Sequence, residues 1–279
     1  MRTISAERVR EAVHRLCIRA NIEIPEDVRA RLAESLATET FPVARNVLEQ
    51  MLDNQEIARA ETIPICQDTG MACVFVTIGQ EIHVDGSLED AIQQGVRDGY
   101  REGCLRNSVV RDPLNRVNTG DNTPAIITWE IVPGNVFRVT VAPKGFGSEN
   151  MSRLAMLKPS DGLEGVKRFV LKTVELAGPN PCPPIVVGVG LGGTLDKAAL
   201  LAKRALARPM DRRHPDPFYA DLEQRALDGI NALGIGPQGF GGRTTALAVN
   251  IEVFPTHIAG LPCVVNMGCH ATRHAEAVL

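Results

Sequence analysis

Three of the seven cysteines in this 279-residue sequence lie in segments whose composition suits metal binding: Pro64-Ile65-Cys66-Gln67-Asp68-Thr69-Gly70, Pro179-Asn180-Pro181-Cys182-Pro183-Pro184 and Asn266-Met267-Gly268-Cys269-His270-Ala271-Thr272. Each reads as a loop at the edge of an apolar strand. Proline fixes the backbone and glycine permits tight turns, so such loops can present a thiolate rigidly. Two readings stay open at this level. Free cysteines are often simply buried, and separations of about a hundred residues match neither a compact ferredoxin nor a zinc finger. If the three thiolates converge on an iron-sulfur cubane, which usually takes four protein ligands, one iron is left open to exogenous oxygen. An open iron is a Lewis acid that makes hydroxide a better leaving group, which is the task in dehydrating a 2-hydroxy acid. Cys17 falls on an apolar helix stripe and Cys73, Cys104 and Cys263 on strand or helix segments, where packing is the expected role.

Those loops need a scaffold. Ser5 can cap a first helix carrying Val9, Ala12, Val13, Leu16 and Cys17, Pro25 suits the first turn of a second, and a third runs through Val43, Val47, Leu48 and Met51. Met71 to Gly79 reads as a strand, Asp85-Gly86 as a turn, and Ser87 with Asp90 opens a helix that stops at Gly103. The segments Ala125 to Val132 and Val136 to Ala142 flank Pro133-Gly134-Asn135 and predict a hairpin. A helix over 163–177 ends at Gly178, a strand over 185–189 precedes glycines and a Thr194-capped helix, and another helix ends near Leu233. Thr244 to Phe254 and Leu261 to Asn266 supply two more strands. The expected fold is α/β, with mixed sheets surrounded by helices and a helical N-terminal portion over about residues 1–60, all in one unit spanning 1–279. There is no sequence repeat. The run Gly188-Val189-Gly190-Leu191-Gly192-Gly193 follows a strand but spells GxGxGG where a dinucleotide turn needs GxGxxG, so no NAD dependence is expected.

Composition narrows the function. With 30 Lys+Arg against 33 Asp+Glu, the formal charge of −3 lacks the basic excess of a nucleic-acid binder. No apolar run approaches the roughly 20 residues of a spanning helix, and the charged N-terminus lacks a signal peptide's apolar stretch. Seven scattered cysteines without a CxxC pair point to reduced thiols and a cytoplasmic protein.

The blocks PICQDTG, NTGDNTP, PKGFGSENMS, NPCPPIVVGVG, LGIGPQGFGG and PTHIAGLPCVVNMGCHATRH, in that order from about Ile63 onward, resemble the alpha subunit of two-chain class I fumarate hydratases, within the fumarase/L-tartrate dehydratase alpha family. The resemblance implies that Cys66, Cys182 and Cys269 hold a 4Fe-4S cluster with one open iron. It implies proton transfer by Asp68 and substrate binding by Gln67, Arg106, Gly147 and His257. On local chemistry alone Asp68 is equally a turn aspartate, Arg106 a solvated charge and His257 a hydrogen-bonded loop residue. An arginine fork does match a carboxylate's two oxygens. Lys144, Arg243 and Arg273 could add charge, and His270 and His274 could support the third cysteine loop. A separate beta subunit, in an alpha2beta2 assembly, is implied to complete the active site. The expected reaction is reversible hydration of fumarate to L-malate in the tricarboxylic acid cycle, with PKGFGSENMS and His-Ile-Ala-Gly closer to fumarase than to the alternative, L-tartrate dehydratase. A non-catalytic iron-sulfur redox or sensor subunit is the other class, distinguished by a cluster spectrum that substrate leaves unchanged.

Overall fold

The computed structural model describes residues 2–279. In chain order the elements are β1 (Arg2–Ser5), α1 (Ala6–Ile22), α2 (Glu26–Thr38), α3 (Pro42–Glu61), β2 (Met71–Gly79), β3 (Ile82–Asp85), α4 (Leu88–Glu102), β4 (Ile126–Val132), β5 (Phe137–Lys144) and α5 (Phe146–Glu149). They continue with β6 (Arg153–Leu157), α6 (Gly162–Ala177), β7 (Ile185–Gly192), α7 (Leu195–Ala205), α8 (Pro217–Asn231), β8 (Ala246–Phe254), β9 (Leu261–Gly268) and β10 (Ala275–Val278). The fold is α/β with mixed sheets and a helical N-terminal region. The chain divides into two compact units, Met1–Pro25, Asn54–Phe146 and Arg273–Leu279 forming the first, Glu26–Asp53 and Gly147–Thr272 the second.

In unit 1 a sheet of order β10-β5-β2-β4 pairs β2 parallel to β4 and antiparallel to β5, with β10 antiparallel to β5. Val9, Val13 and Leu16 of α1 and Ile92 and Val96 of α4 bury against Val74, Val76, Phe137, Val139 and Val141 of that sheet. Ser5 and Ser87 cap the two helices, their hydroxyls accepting from Arg8 N and Asp90 N, each at 3.3 Å. These side chains satisfy donors that a helix start otherwise leaves unpaired.

Unit 2 repeats the arrangement. Its sheet has the order β6-β9-β7-β8, with β7 parallel to β8 and antiparallel to β9, and β6 antiparallel to β9. Helices α6 and α8 cover one face through Val170, Val174, Leu222 and Ile230, against Val187, Val189, Ile251 and Val265. On the other face Ala198 and Ala202 of α7 pack with Val264. Strand β7 is buried along its whole length, which explains an apolar run without alternation.

Two sequence expectations change. The strands around Pro133-Gly134-Asn135 form no hairpin: β2 lies between β4 and β5, and their connection crosses its end, where Gly79 N donates to Val136 O at 2.7 Å and Gln80 N to Val132 O at 2.9 Å. A Cβ on Gly79 would sit 2.2 Å from Gly134 O, so only glycine admits that crossing. Cys104 lies just past the end of α4, exposed and at φ +50°, and not within a regular element.

The glycine run in β7 has a packing role. A Cβ on Gly190 would stand 2.0 Å from Ala198 O, so the missing side chain is what lets α7 lie directly on the strand. Replacing a strand glycine with alanine ordinarily gains about 0.5–1 kcal/mol, but overpacking against backbone costs about 1–3 kcal/mol or more. The clash wins. Gly190→Ala is expected to lower unfolding stability by about 2 kcal/mol, read from the urea midpoint at unchanged slope.

Candidate functional site

Each unit builds one group of loops at the end of its sheet where the central strand begins. In unit 1 the segment from Cys66 to Gly70 enters β2 and is held on every side. Ile65 N donates to Asn21 O at 2.9 Å and Asn54 Nδ2 to Ile65 O at 2.9 Å. Tyr100 Oη reaches Thr69 O at 2.8 Å and Gly70 O at 3.0 Å, and burial pushes this phenol well above its ordinary pKa, so it stays a donor. Asn122, fully buried and at φ +58°, donates to Gly70 O at 3.1 Å and accepts from Ser108 N at 2.7 Å. Thr69 Oγ1 accepts from Arg106 N at 2.9 Å and lies 3.2 Å from Arg106 O. The cysteine loop and the arginine backbone therefore move as one, while the Arg106 side chain is exposed.

Asp68 is both a turn residue and a presented carboxylate. Its Oδ1 accepts from Gly70 N at 3.0 Å and its Oδ2 from Phe146 N at 2.9 Å, leaving lone pairs on both oxygens. Gln67 is exposed beside it, with Oε1 3.3 Å from Cys66 Sγ. Arg273 is buried, and its fork is turned inward, to Asn21 Oδ1 from Nε at 3.2 Å and to Asp68 O from Nη2 at 2.7 Å. It braces the loop. Elsewhere in unit 1 burial works against ionisation of Asp121, yet the Arg97 guanidinium and Thr123 hold its carboxyl down at about 2. The stability this lends is present above the ordinary carboxylate range and is lost as pH falls toward 2.

In unit 2 the loop carrying Cys182 enters β7 and the one carrying Cys269 leaves β9 at the same edge, where Val186 faces Gly268. His270 N donates to Cys182 O at 3.1 Å, joining the two loops directly. Its Nδ1 lies 3.3 Å from Cys182 O and 3.3 Å from Gln238 Nε2. Gln238, at φ +51°, donates from its main chain to Pro183 O at 2.7 Å. Cys182 itself stands at φ +56°. Two side-chain-bearing residues in the left-handed region at one edge are a local strain that the surrounding contacts must hold. Glu149 and Ser152 of PKGFGSENMS take Asn266 Nδ2, each at 2.8 Å, and Ser152 Oγ also accepts from Met267 N at 3.1 Å, bracing the strand that delivers Cys269. Gly147 is exposed next to the Cys182 loop, its Cβ position 3.7 Å from Asn180 O.

Unit 2 does not bring His257 to its cysteines. The loop after β8 crosses the far end of β7, where Gly192 faces Phe254 and Thr256 Oγ1 bonds Gly193 O at 3.1 Å. Eight strand residues, about 23 Å, separate that end from Cys182. The ring is exposed, and Nδ1 accepts from Ala259 N at 3.2 Å, which puts the proton of the neutral imidazole on Nε2. Arg243 also stays apart, its main chain bonded to the buried Glu39 at 2.7 Å.

Among the described residues no three His, Cys, Asp or Glu side chains within either unit are gathered closely enough to hold a metal ion alone. The thiols nevertheless fall into classes. Cys66, Cys182 and Cys269 are half-exposed on braced loops, the setting of soft thiolate donors for iron-sulfur groups, while Cys17, Cys73 and Cys263 are buried. Tyr100, Asn122, Gln238 and Arg273 were not singled out as supports by sequence reasoning. Their only signal was membership, for Asn122, Gln238 and Arg273, of the motif blocks.

Residues 10–278 match the profile of the family described as Fumarate hydratase (Fumerase). A Methanocaldococcus jannaschii protein provisionally named L(+)-tartrate dehydratase subunit alpha is 44% identical over 96% of this chain and 96% of its own length. L(+)-tartrate dehydratase alpha subunits of Escherichia coli and Shigella sonnei are 34% identical over 99% of this chain and 92% of theirs.

Burial alone pushes the Cys17 and Cys263 thiols up to about 12, so at pH 8 about one in ten thousand is ionised. Iodoacetamide at that pH is expected to label Cys66, Cys104, Cys182 and Cys269 of the metal-free native chain, with Cys17 and Cys263 labelled only after denaturation. Peptide mass spectrometry reads the pattern.

Proposed function

This chain belongs to the Fumarate hydratase (Fumerase) family and is a hydro-lyase, and from that premise we propose that it is the alpha subunit of an iron-sulfur L-tartrate dehydratase. In this reading Cys66, Cys182 and Cys269 hold a 4Fe-4S cluster, and a separate beta subunit completes the active site in an alpha2beta2 assembly. The observation that supports the chemistry is the edge of unit 2, where His270 N donates to Cys182 O and so joins the two loops that carry half-exposed cysteines. The names of relatives 34–44% identical over nearly the whole chain carry the choice of tartrate. They favour tartrate over fumarate, the substrate expected from PKGFGSENMS and His-Ile-Ala-Gly. The family description keeps fumarate hydration to L-malate as the second reading. A hydro-lyase leaves no place for the redox-sensor alternative.

When bound, a cluster with three thiolate ligands supplies an iron open to the hydroxyl oxygen on carbon 2, which then leaves more easily. The chain's own residues do the rest. Arg106 offers its fork to one carboxylate, Gln67 offers amide donors to the other, and Gly147 leaves room for a substrate oxygen close to the backbone. Asp68, its carboxylate fixed by two main-chain donors, takes the proton from carbon 3. That electron pair becomes the new double bond as the carbon–oxygen bond at carbon 2 breaks. His257 presents Nε2–H at the far end of the unit 2 sheet, and His257→Ala measures its share in substrate binding. Seven free cysteines accord with a reducing cytoplasm, and no helix among the described residues is long and apolar enough to cross a membrane.

The test is anaerobic co-expression with the beta chain, followed by assays of L-tartrate dehydration and fumarate hydration. Tartrate is expected to have the higher kcat/KM by at least about tenfold; a reversed ratio selects the second reading, and a cluster-loaded complex active on neither rejects both. Asp68→Asn is expected to lower kcat by about a thousandfold with iron content unchanged. Single replacement of Cys66, Cys182 or Cys269 by alanine should abolish stoichiometric iron and sulfide binding.

A further inference from the structure

The two sheets have the same order and the same strand directions, so positions in one can be matched to positions in the other. The central strands β2 and β7 are both entered from a cysteine loop, carrying Cys66 and Cys182. The antiparallel neighbours β5 and β9 both end alongside that entry. In unit 2 the second residue of β7, Val186, faces Gly268, and the next residue is Cys269. In unit 1 the second residue of β2, Ala72, faces Pro143, and the next residue is Lys144. Counted from the first residue of each central strand, Lys144, which faces Met71 at the end of β5, takes the position that Cys269 takes just past the end of β9.

We propose that Lys144 occupies the place of a fourth cysteine and is the cation that holds a negative oxygen of the dicarboxylate beside the iron that lacks a thiolate. The inference rests on the iron-sulfur dehydratase reading and gives a specific place and partner to a lysine for which the sequence suggested only added charge. Lys144 is only 9% exposed, unusual for a lysine. Its Nζ donates to Gly145 O at 3.3 Å. The next residues adjoin the proposed base: a Cβ on Gly145 would stand 3.1 Å from Asp68 Oδ2, and Phe146 N donates to that same oxygen. The substitution has a double consequence. A thiolate there would close the cluster and add charge of the same sign as the substrate, whereas an ammonium leaves the iron open and attracts a dianion.

The experiment compares wild type with Lys144→Met, Lys144→Arg and Lys144→Cys in the anaerobic complex, using L-tartrate as the probe. Lys144→Met is expected to keep the melting temperature and four irons, lose at least a hundredfold in kcat/KM, and show no change in its cluster spectrum at tartrate concentrations that saturate wild type. Lys144→Arg should stay within tenfold of wild type. After mild ferricyanide oxidation wild type should fall to three irons with the corresponding paramagnetic signal, while Lys144→Cys keeps four. A Lys144→Met complex within threefold of wild type, or a Lys144→Cys complex that loses its fourth iron as readily as wild type, would overturn the proposal. A wild-type complex that binds no iron and turns over no dicarboxylate sinks the functional reading and this one with it.

Discussion

A strand with partners on both edges has no freedom left in its backbone, and the loop that feeds it inherits that rigidity. In this protein β2 and β7 are such strands, each hydrogen-bonded to two neighbours and buried through most of its length. Cys66 lies five residues before Met71, and Cys182 three residues before Ile185. A thiol so close to a fixed ladder can be aimed without a long side chain or a compact ligand motif. Within unit 2 that register brings the ends of two loops together, Cys182 and Cys269 being 87 residues apart in sequence.

Fixing the strand does not by itself fix the loop, whose carbonyls and amides still need partners. Neutral donors supply them in unit 1, through buried Tyr100 and Asn122 and half-buried Asn54, with the guanidinium of Arg273 on Asp68 O. In unit 2 the work falls to His270 and Gln238. The left-handed backbone of Cys182, Gln238 and Asn122 is a conformational cost of about 1–3 kcal/mol apiece, tolerated where several contacts converge on one short segment.

Much of the scaffold was legible in the sequence because its signals are local. Ser87 and Gly103 bracket α4, observed over Leu88–Glu102, and the apolar run from Met71 to Gly79 is β2 to the residue. The short strands β1, β3, β6 and β10, of four or five residues, are too brief for a period to stand out. Strand order was hidden for a different reason: Pro133-Gly134-Asn135 carries turn chemistry, yet the partner of both flanking strands is β2, far away in sequence. At the site, residue types and the family resemblance singled out the cysteines, Gln67, Asp68, Arg106 and Gly147. Of the groups that hold them, His270 was expected to support its loop and Arg273 only to add charge, while Tyr100, Asn122 and Gln238 escaped notice, since a side chain bonded to a distant carbonyl looks like any other. The duplicated sheet order leaves no sequence repeat, because pairing direction depends on connectivity and not on particular side chains.

The strands that complete each sheet are exchanged along the chain. After β5 the polypeptide leaves unit 1 and forms β6 on β9, and after β9 it returns to lay β10 on β5. Neither unit is a contiguous stretch of polypeptide, so a nascent chain emerging from the ribosome cannot finish the first until residues 273–279 have been made. Until then the outer edge of β5 stays unpaired, an open template for a wrong strand from another molecule. Closure of unit 1 therefore waits on residues 273–279, and any pause in translation before them prolongs exposure to aggregation.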